Sequence, residues 1–268
     1  MNWYKFILNV NKRTSNDAVL GELGRFPPYI EQSRNTLKYW LKLSEQPTHS
    51  ILYNAFTEDM ELGNRRRTSL FLKLKNTFDL VKWNAPLSLS GPHNQRVLCD
   101  KFVEELRNEF ICSWFGRLHN DSKGACGHKN KLRTYRTFKI EYEMEPYLCF
   151  LNNSQFRHYL ARFRCSAHKL LVETGRYIGL EFNQRICPHC LEDVETEMHF
   201  LCSCPLYNSL RKDMYDTVCK SNAEFSILSE KDKFIFLMSS KDNIIMYCLA
   251  KYIFLSAKLK EINSISLK

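Results

Sequence analysis

The sequence predicts a mainly α-helical protein, with a bundle-like helical region, a small cysteine-rich knuckle and further helices at the C-terminal end. Apolar residues recur at helical spacing through several long segments of the chain. Glycine and proline are scarce, with nine and eight in 268 residues, which disfavours a β-sandwich with many turns. The knuckle is predicted from residues 185–206, which hold four of the eleven cysteines.

Four helices are predicted before residue 120. The first covers 27–45 and opens with two prolines, which suit a helix start. The second begins at a capping residue, Thr48, and ends at Gly63. The third covers 65–83 and is basic on one face, and the fourth covers 93–118. We expect the apolar stripes of the first and fourth helices to be buried, namely Tyr29, Ile30, Leu37, Trp40 and Leu41, and Val97, Leu98, Phe102, Leu106, Phe110 and Trp114.

A polar loop is predicted at 120–130, and helical spacing returns in 154–168. Residues 169–179 instead suggest a short extended piece followed by a turn. A helix over 205–220 leaves the knuckle, and two more helices are predicted after residue 228. The predicted division is a helical region over 1–120, basic helices with the knuckle over 130–222, and C-terminal helices over 223–268.

The chain is strongly basic, with a formal net charge of +10 and a pI of about 9.0. Such a chain attracts polyanions within about a Debye length, ~8 Å at physiological salt, and nucleic acid is the commonest such partner. The apolar stretch 244–260 is interrupted by Lys251 and Lys258, and no secretory signal is recognised at the start. We therefore expect an intracellular protein that has reduced thiols and no membrane partner.

The cysteine cluster has the spacing of a metal site. Cys187 and Cys190 form a Cys-x2-Cys pair, and His199 and Cys204 follow. Three thiolates and one imidazole placed in this way suit a tetrahedral Zn²⁺ ion, with a short β-hairpin or loop between the two ligand pairs. By spacing alone, Cys202 is an alternative fourth ligand. Four protein ligands leave no position for water, so we expect one structural zinc ion rather than a catalytic one.

Two other interpretations of the cluster compete with zinc. The first is a chance grouping of buried thiols. The second is a redox Cys-x2-Cys pair, for which the strand-and-helix context is missing.

Residues 187–211, CPHCLEDVETEMHFLCSCPLYNSLR, resemble the zinc-binding segment that follows the reverse transcriptase domain in animal non-LTR (LINE, jockey-like) retrotransposons. That segment has the form Cys-Pro-x-Cys, an acidic patch, His-Phe-Leu, Cys-Pro-x-Tyr and Leu-Arg. The resemblance implies that Cys204 rather than Cys202 is the fourth ligand. The matching positions are Cys187, Pro188, Cys190, Glu195, Glu197, His199, Phe200, Cys204, Pro205, Tyr207, Leu210 and Arg211.

Two further stretches resemble the same family. Residues 18–43 contain GELGRFP, which is similar to the segment after the polymerase, and residues 156–177 contain RCSAHKLLVETGR, which is similar to the run leading into the zinc segment. The three matches occur in the family's order and cover most of the chain. The resemblance implies a tail downstream of a polymerase, either a truncated copy or a fragment retained by a host. It also implies binding to element RNA or target DNA during target-primed reverse transcription.

Signatures of catalysis are missing from the sequence. It contains neither a Tyr-x-Asp-Asp polymerase motif nor the Pro-Asp of the restriction-like nuclease found in some relatives. We therefore expect no enzymatic activity, no catalytic residue and no small-molecule substrate. One competing hypothesis is a metal nuclease that uses Glu141, Glu143 and Glu145. Another is a degenerate fragment or protein-interaction scaffold that does not bind nucleic acid.

Two basic tracts precede the knuckle. In 117–139 seven cations oppose a single acid, and in 155–176 five cations oppose a single acid. Such cations can follow phosphates, and the interleaved aromatic residues can stack on exposed bases or belong to the core. The knuckle itself carries four acidic residues between 192 and 197, which argues against direct phosphate contact there. The predicted nucleic-acid contacts are Lys129, Lys131, Arg133, Arg136, Arg157, Arg162, Arg164, Lys169 and Arg176.

Overall fold

The computed structural model describes residues 1–84, 92–120 and 130–266. Over these residues the protein is about 70% helical and has no β-sheet, which confirms the mainly α-helical class. None of the described helices is long and apolar enough to cross a membrane. The α-helices are α1 (Asn2–Ile7), α2 (Asn16–Leu23), α3 (Pro28–Ser44), α4 (Ile51–Asn64), α5 (Leu70–Leu80), α6 (Pro92–His119), α7 (Tyr135–Phe138), α8 (Tyr147–Phe150), α9 (Ser154–Arg164), α10 (Leu171–Thr174), α11 (Asn208–Ser221), α12 (Glu230–Ser239) and α13 (Asn243–Ser266).

Residues 26–115 form one compact unit, which contains α3, α4, α5 and most of α6. Its core includes Trp40, whose ring lies 5.2 Å from that of Phe56 and 6.2 Å from that of Phe71. The two apolar stripes predicted from the sequence are buried, except for Tyr29 and Val97, which are exposed. All four helices predicted in this part of the chain are present.

The start and end of α4 differ from the prediction. The capping residue is Ser50 rather than Thr48, and its hydroxyl accepts a hydrogen bond from the Tyr53 backbone N–H at 3.1 Å. Gly63 lies within α4, which continues to Asn64. A Cβ atom at Gly63 would lie 2.7 Å from both the Phe71 ring and the Ser69 hydroxyl. This glycine therefore permits close packing of α5 rather than ending the helix.

Residues 1–25 and 116–268 form the second compact unit. Within its described part, α9 and α11 pack against the long C-terminal helix α13, and α12 packs against α7 and against the knuckle. The helices predicted at 154–168, at 205–220 and after residue 228 are present as α9, α11, α12 and α13. The three-part division of the chain stays a prediction.

A buried ion-pair network joins distant parts of this second unit. The Arg164 guanidinium lies 2.9 Å from a Glu22 carboxylate oxygen and 2.8 Å from one of Glu145. It also lies 4.7 Å from the ring centroid of Phe138, and Lys139 pairs with Glu145. Burial opposes the charge of Arg164, but Glu22 and Glu145 outweigh it, and the pKa of the guanidinium is raised. We call Arg164, Glu22, Glu145 and Lys139 the Arg164 network.

Two predicted extended segments are absent from the described residues. The β-hairpin predicted in the knuckle is replaced by a single antiparallel bridge between Ile186 and Val194. Residues 171–178 form α10 and a 3-10 turn rather than an extended piece. The Glu195 carboxylate accepts a hydrogen bond from the Leu171 N–H at 2.6 Å and so satisfies a donor at the start of α10. Because this acceptor lies far along the chain, the local pattern did not reveal the helix.

Candidate metal centre

The Cys187–Cys190 pair lies on a tight loop at the end of the single bridge. The Cys187 N–H donates to the Asp193 carbonyl at 2.7 Å, and the Leu191 N–H donates to the Cys187 carbonyl at 2.9 Å. Leu191 closes this loop in the left-handed region, with φ +61°. The backbone thus turns both thiols toward the same point.

The other two predicted ligands flank one π-helical turn. The Cys204 N–H donates to the His199 carbonyl at 2.8 Å across that turn. The guanidinium of Arg211, on α11, donates to the Leu201 carbonyl at 3.0 Å and to the Cys204 carbonyl at 2.7 Å. Arg211 therefore fixes the turn that carries His199 and Cys204, a function that its position in the sequence did not reveal.

The four side chains converge. One ligand atom from each of Cys187, Cys190, His199 and Cys204 lies within 4.8 Å of all the others. The sulfurs of Cys187 and Cys204 are 3.9 Å apart, and the Cys190 sulfur is 3.4 Å from His199 Nε2. In a tetrahedral zinc site the bonds are about 2.3 Å to sulfur and about 2.0 Å to nitrogen. Two sulfur ligands then lie about 3.8 Å apart, and a sulfur and a nitrogen ligand about 3.5 Å apart. The two distances agree with these edges, and this group could hold one metal ion.

Burial disfavours the charged forms of Cys187, His199 and Cys204. It raises the pKa of the Cys187 thiol and raises that of Cys204 to about 12. It also lowers the pKa of the His199 imidazole. A thiolate in such surroundings needs a cation beside it, and a bound divalent metal ion would supply that charge.

Cys202, the alternative ligand by spacing, lies outside this group. Its sulfur faces the Glu230 carbonyl at 3.6 Å, and burial raises its pKa to about 11. The π-helical turn places Cys202 toward α12 and Cys204 toward the other ligands. The structure therefore brings together the set that contains Cys204.

Two of the four acidic residues of the knuckle face inward. Glu195 and Glu197 are 1% and 2% exposed. Glu197 accepts hydrogen bonds from His168 at 3.1 Å and from Arg133 at 3.0 Å. Burial alone would raise the pKa of Glu197, but these two partners outweigh it and lower the pKa to about 2. Glu195 pairs with Lys260. These acids attach the knuckle to its unit rather than forming an acidic surface.

Three of the predicted nucleic-acid contacts form ion pairs with largely buried carboxylates inside the second unit. Arg164 belongs to the buried network described above, with its side chain 1% exposed. Arg133 pairs with Glu173 at 2.8 Å as well as with Glu197, and Arg176 lies 3.5 Å from Glu173. These three guanidinium groups are directed at internal carboxylates.

The other predicted contacts differ in environment. Lys131 and Arg162 line one cavity together with Lys169, whose side chain is 85% exposed. Arg157 donates to the Leu151 carbonyl at 2.8 Å, and Arg136 lies 3.5 Å from the His119 carbonyl. Lys129 lies outside the described residues.

The three acids of the nuclease hypothesis do not converge. Glu141 and Glu143 are exposed and share Lys241, at 2.7 Å and 2.6 Å. Glu145 belongs to the Arg164 network. Within the described residues, the Cys187–Cys204 group is the only set of side chains found with metal-binding geometry.

Comparisons of the chain with models of known protein families, with curated proteins and with solved structures gave no match. The assignment of function therefore rests on the residues of this chain and their geometry.

Proposed function

We propose that this protein is a non-catalytic nucleic-acid-binding module, stabilised by one structural Zn²⁺ ion on Cys187, Cys190, His199 and Cys204. The observation that carries the proposal is the convergence of four protein ligand atoms within 4.8 Å. Three sulfurs and one imidazole nitrogen favour zinc over harder cations. A set of four protein donors also leaves no open position to activate water, which supports a structural site.

We further propose that the chain corresponds to the region downstream of the reverse transcriptase in a non-LTR retrotransposon, with RNA or DNA as its partner. Contacts between the three segments that resemble this family support the proposal. Glu22, in the first segment, pairs with Arg164 in the second at 2.9 Å. His168, also in the second, contacts Glu197 in the third at 3.1 Å. The resembling segments thus share one framework.

Positive charge supports nucleic acid as the ligand. The chain carries a formal net charge of +10. Lys131 from the first basic tract and Arg162 and Lys169 from the second line the same cavity. Cations gathered from separate tracts in this way provide a place where phosphates can bind.

The salt dependence of binding tests this function. The zinc-loaded chain is titrated into fluorescently labelled single-stranded and duplex RNA and DNA at several salt concentrations, with anisotropy as the readout. We expect the logarithm of the association constant to fall linearly with the logarithm of salt concentration. The slope should be about −0.7 per phosphate contact for a single strand and about −0.9 for B-form duplex.

A pair of charge variants provides the control for that titration. Arg157→Gln removes a predicted contact and should make the slope shallower by about one contact. Lys212→Gln removes an exposed charge on α11, outside both basic tracts, and should leave the slope unchanged. Absent or salt-independent binding by the folded, zinc-loaded chain would overturn the proposal and favour an interaction scaffold or a degenerate fragment.

A further inference from the structure

A cavity of about 980 Å³ lies within the unit formed by residues 1–25 and 116–268. One wall comes from the turn after α1, a second from α9 and the turn that follows it, and a third from α13. Its volume falls within the range of about 300–1,000 Å³ that is typical of ligand sites. Phe200, next to the metal ligand His199, lies in the lining.

Four of the residues that line this cavity carry a phenylalanine or tyrosine ring. Tyr159, Phe163 and Tyr177 line it together with Phe200. Tyr177 is 60% exposed, so its ring is open to an entering molecule. The guanidinium groups of Arg13 and Arg162 each lie 5.7 Å from the ring centroid of a tyrosine, Tyr177 and Tyr159 respectively. The lining therefore combines flat π-faces with adjacent positive charge.

Two of the cations in the lining form no ion pair within bonding distance among the described residues. The half-buried Lys131 ammonium makes no hydrogen bond or ion pair there; burial lowers its pKa, and the charge of the Glu173 carboxylate offsets this only in part. The Arg162 guanidinium donates only to the Asn9 carbonyl at 2.6 Å and to the Asn9 side-chain oxygen at 2.8 Å. An anion bound in the cavity could therefore pair with either side chain.

The two carboxylates in the lining are already paired. Glu173 lies 2.8 Å from Arg133, and Glu261 lies 3.0 Å from Lys258. The Ser166 hydroxyl, by contrast, is buried without a hydrogen-bond partner among the described residues. Ser166 also lines the cavity and has φ +51°, in the left-handed region. The site thus offers unsatisfied cations and one hydroxyl beside aromatic surface.

We propose that this cavity binds one nucleotide, with its base among the aromatic rings and its phosphate against Lys131 and Arg162. The inference deepens the proposed function, because it assigns a single unpaired nucleotide of RNA or DNA to this site. In a duplex the bases are stacked inside and cannot enter such a cavity, whereas a single strand presents them. A free nucleotide has the same chemistry, and the experiment distinguishes the two sources.

The test compares a labelled single strand, a duplex of the same sequence and a free nucleoside monophosphate as competitor. Ala257→Trp fills the cavity from α13 without changing the net charge, and Tyr177→Ala removes an exposed ring without disturbing the core. Each should weaken single-strand binding at least about fivefold, the lower end of the loss for one stacked base, and leave duplex binding unchanged. The monophosphate should compete with the single strand on the wild-type chain and not on Ala257→Trp.

Each outcome of this test has a distinct meaning. Unchanged single-strand affinity in both variants would overturn the cavity proposal while leaving salt-dependent binding to the basic tracts intact. Binding of the monophosphate alone, with no affinity for either strand form, would support the nucleotide site and contradict the proposed function. Lys212→Gln is the matched surface control and should behave as the wild type. Circular dichroism of each variant shows whether it is folded.

Discussion

Arg164 illustrates at the residue scale how buried charge stabilises this fold. Its guanidinium contacts Glu22 and Glu145, which lie on different segments of the second unit. Arg164 and Glu22 are fully buried and Glu145 is largely buried, so the arginine compensates two carboxylate charges that have little access to water. Replacing it leaves both carboxylates with Lys139 as the remaining cation of the Arg164 network.

We predict that Arg164→Leu lowers the free energy of unfolding by about 3–5 kcal/mol, the cost of breaking a buried ion pair from one side. Urea unfolding of the zinc-loaded chain, followed by circular dichroism, measures the change. Arg157→Leu, on the same helix, loses only a hydrogen bond to the Leu151 carbonyl and should cost about 1 kcal/mol. Equal losses in the two variants would contradict the structural function assigned to Arg164.

The candidate metal ligands could be identified from the sequence. The sequence did not show, however, which arginines are buried in ion pairs and which face a cavity. Four ligands must meet at one ion, so their spacing is constrained, and Cys187 and Cys190 alone imply a tight turn. A cation at helical spacing has no such constraint. Arg162 faces a cavity and Arg164, two residues later, faces buried acids. The difference depends on Glu22, whose position relative to Arg164 is set only by the fold.

At the element scale, α4 and α5 pack closely because Gly63 has no side chain. The Ser69 hydroxyl, which the added Cβ would meet at 2.7 Å, accepts the Leu72 N–H at 3.0 Å and so caps α5. Asp59, on α4, accepts the Leu70 and Phe71 N–H groups at 2.9 Å and 2.8 Å. The start of α5 is thus satisfied by its own cap and by its neighbour.

Gly63→Ala should destabilise the protein by about 1–2 kcal/mol. Alanine favours the helix by about 1 kcal/mol, but overpacking against α5 costs about 1–3 kcal/mol and the Ser69 cap is disturbed as well. Gly116→Ala is the matched control, since nothing lies within 4 Å of a Cβ atom there. This second substitution, at an exposed position of α6, should stabilise the protein by about 1 kcal/mol. Thermal unfolding of both variants measures the contrast. A rise in Tm for Gly63→Ala would show that α5 does not pack as described.

The long helices were predictable and the short ones were not. Helices such as α3 and α6 repeat their apolar stripe over several turns, so periodicity alone locates them. The four-residue helix α10 has no such repeat, and Glu195 caps its start from a distant segment. The loop after Cys187 is closed by two local backbone hydrogen bonds beside one bridge, from the Cys187 N–H to the Asp193 carbonyl and from the Glu195 N–H to the Arg185 carbonyl. The cap of α10, by contrast, is a tertiary contact and leaves no local pattern.

At the scale of the whole molecule, the knuckle is integrated into its unit rather than attached to it. Glu197 reaches Arg133 and His168, Glu195 pairs with Lys260, and Tyr252 of α13 donates to the Phe200 carbonyl at 2.8 Å. Structural zinc contributes on the order of 10–16 kcal/mol in finger peptides. Because the cavity is partly lined by Phe200, which follows His199, a zinc ion bound at the knuckle would also support the proposed nucleotide site. Loss of the metal should therefore disturb binding as well as folding.

Native mass spectrometry of the full chain tests the proposed zinc site most directly. The wild type should carry one zinc ion, released by a chelator with partial loss of helical circular dichroism. Cys187→Ser and Cys204→Ser should lose the ion, whereas Cys202→Ser should keep it, because that sulfur faces the Glu230 carbonyl. A wild-type chain without zinc, or zinc retained in Cys204→Ser and lost in Cys202→Ser, would contradict a zinc site on Cys187, Cys190, His199 and Cys204.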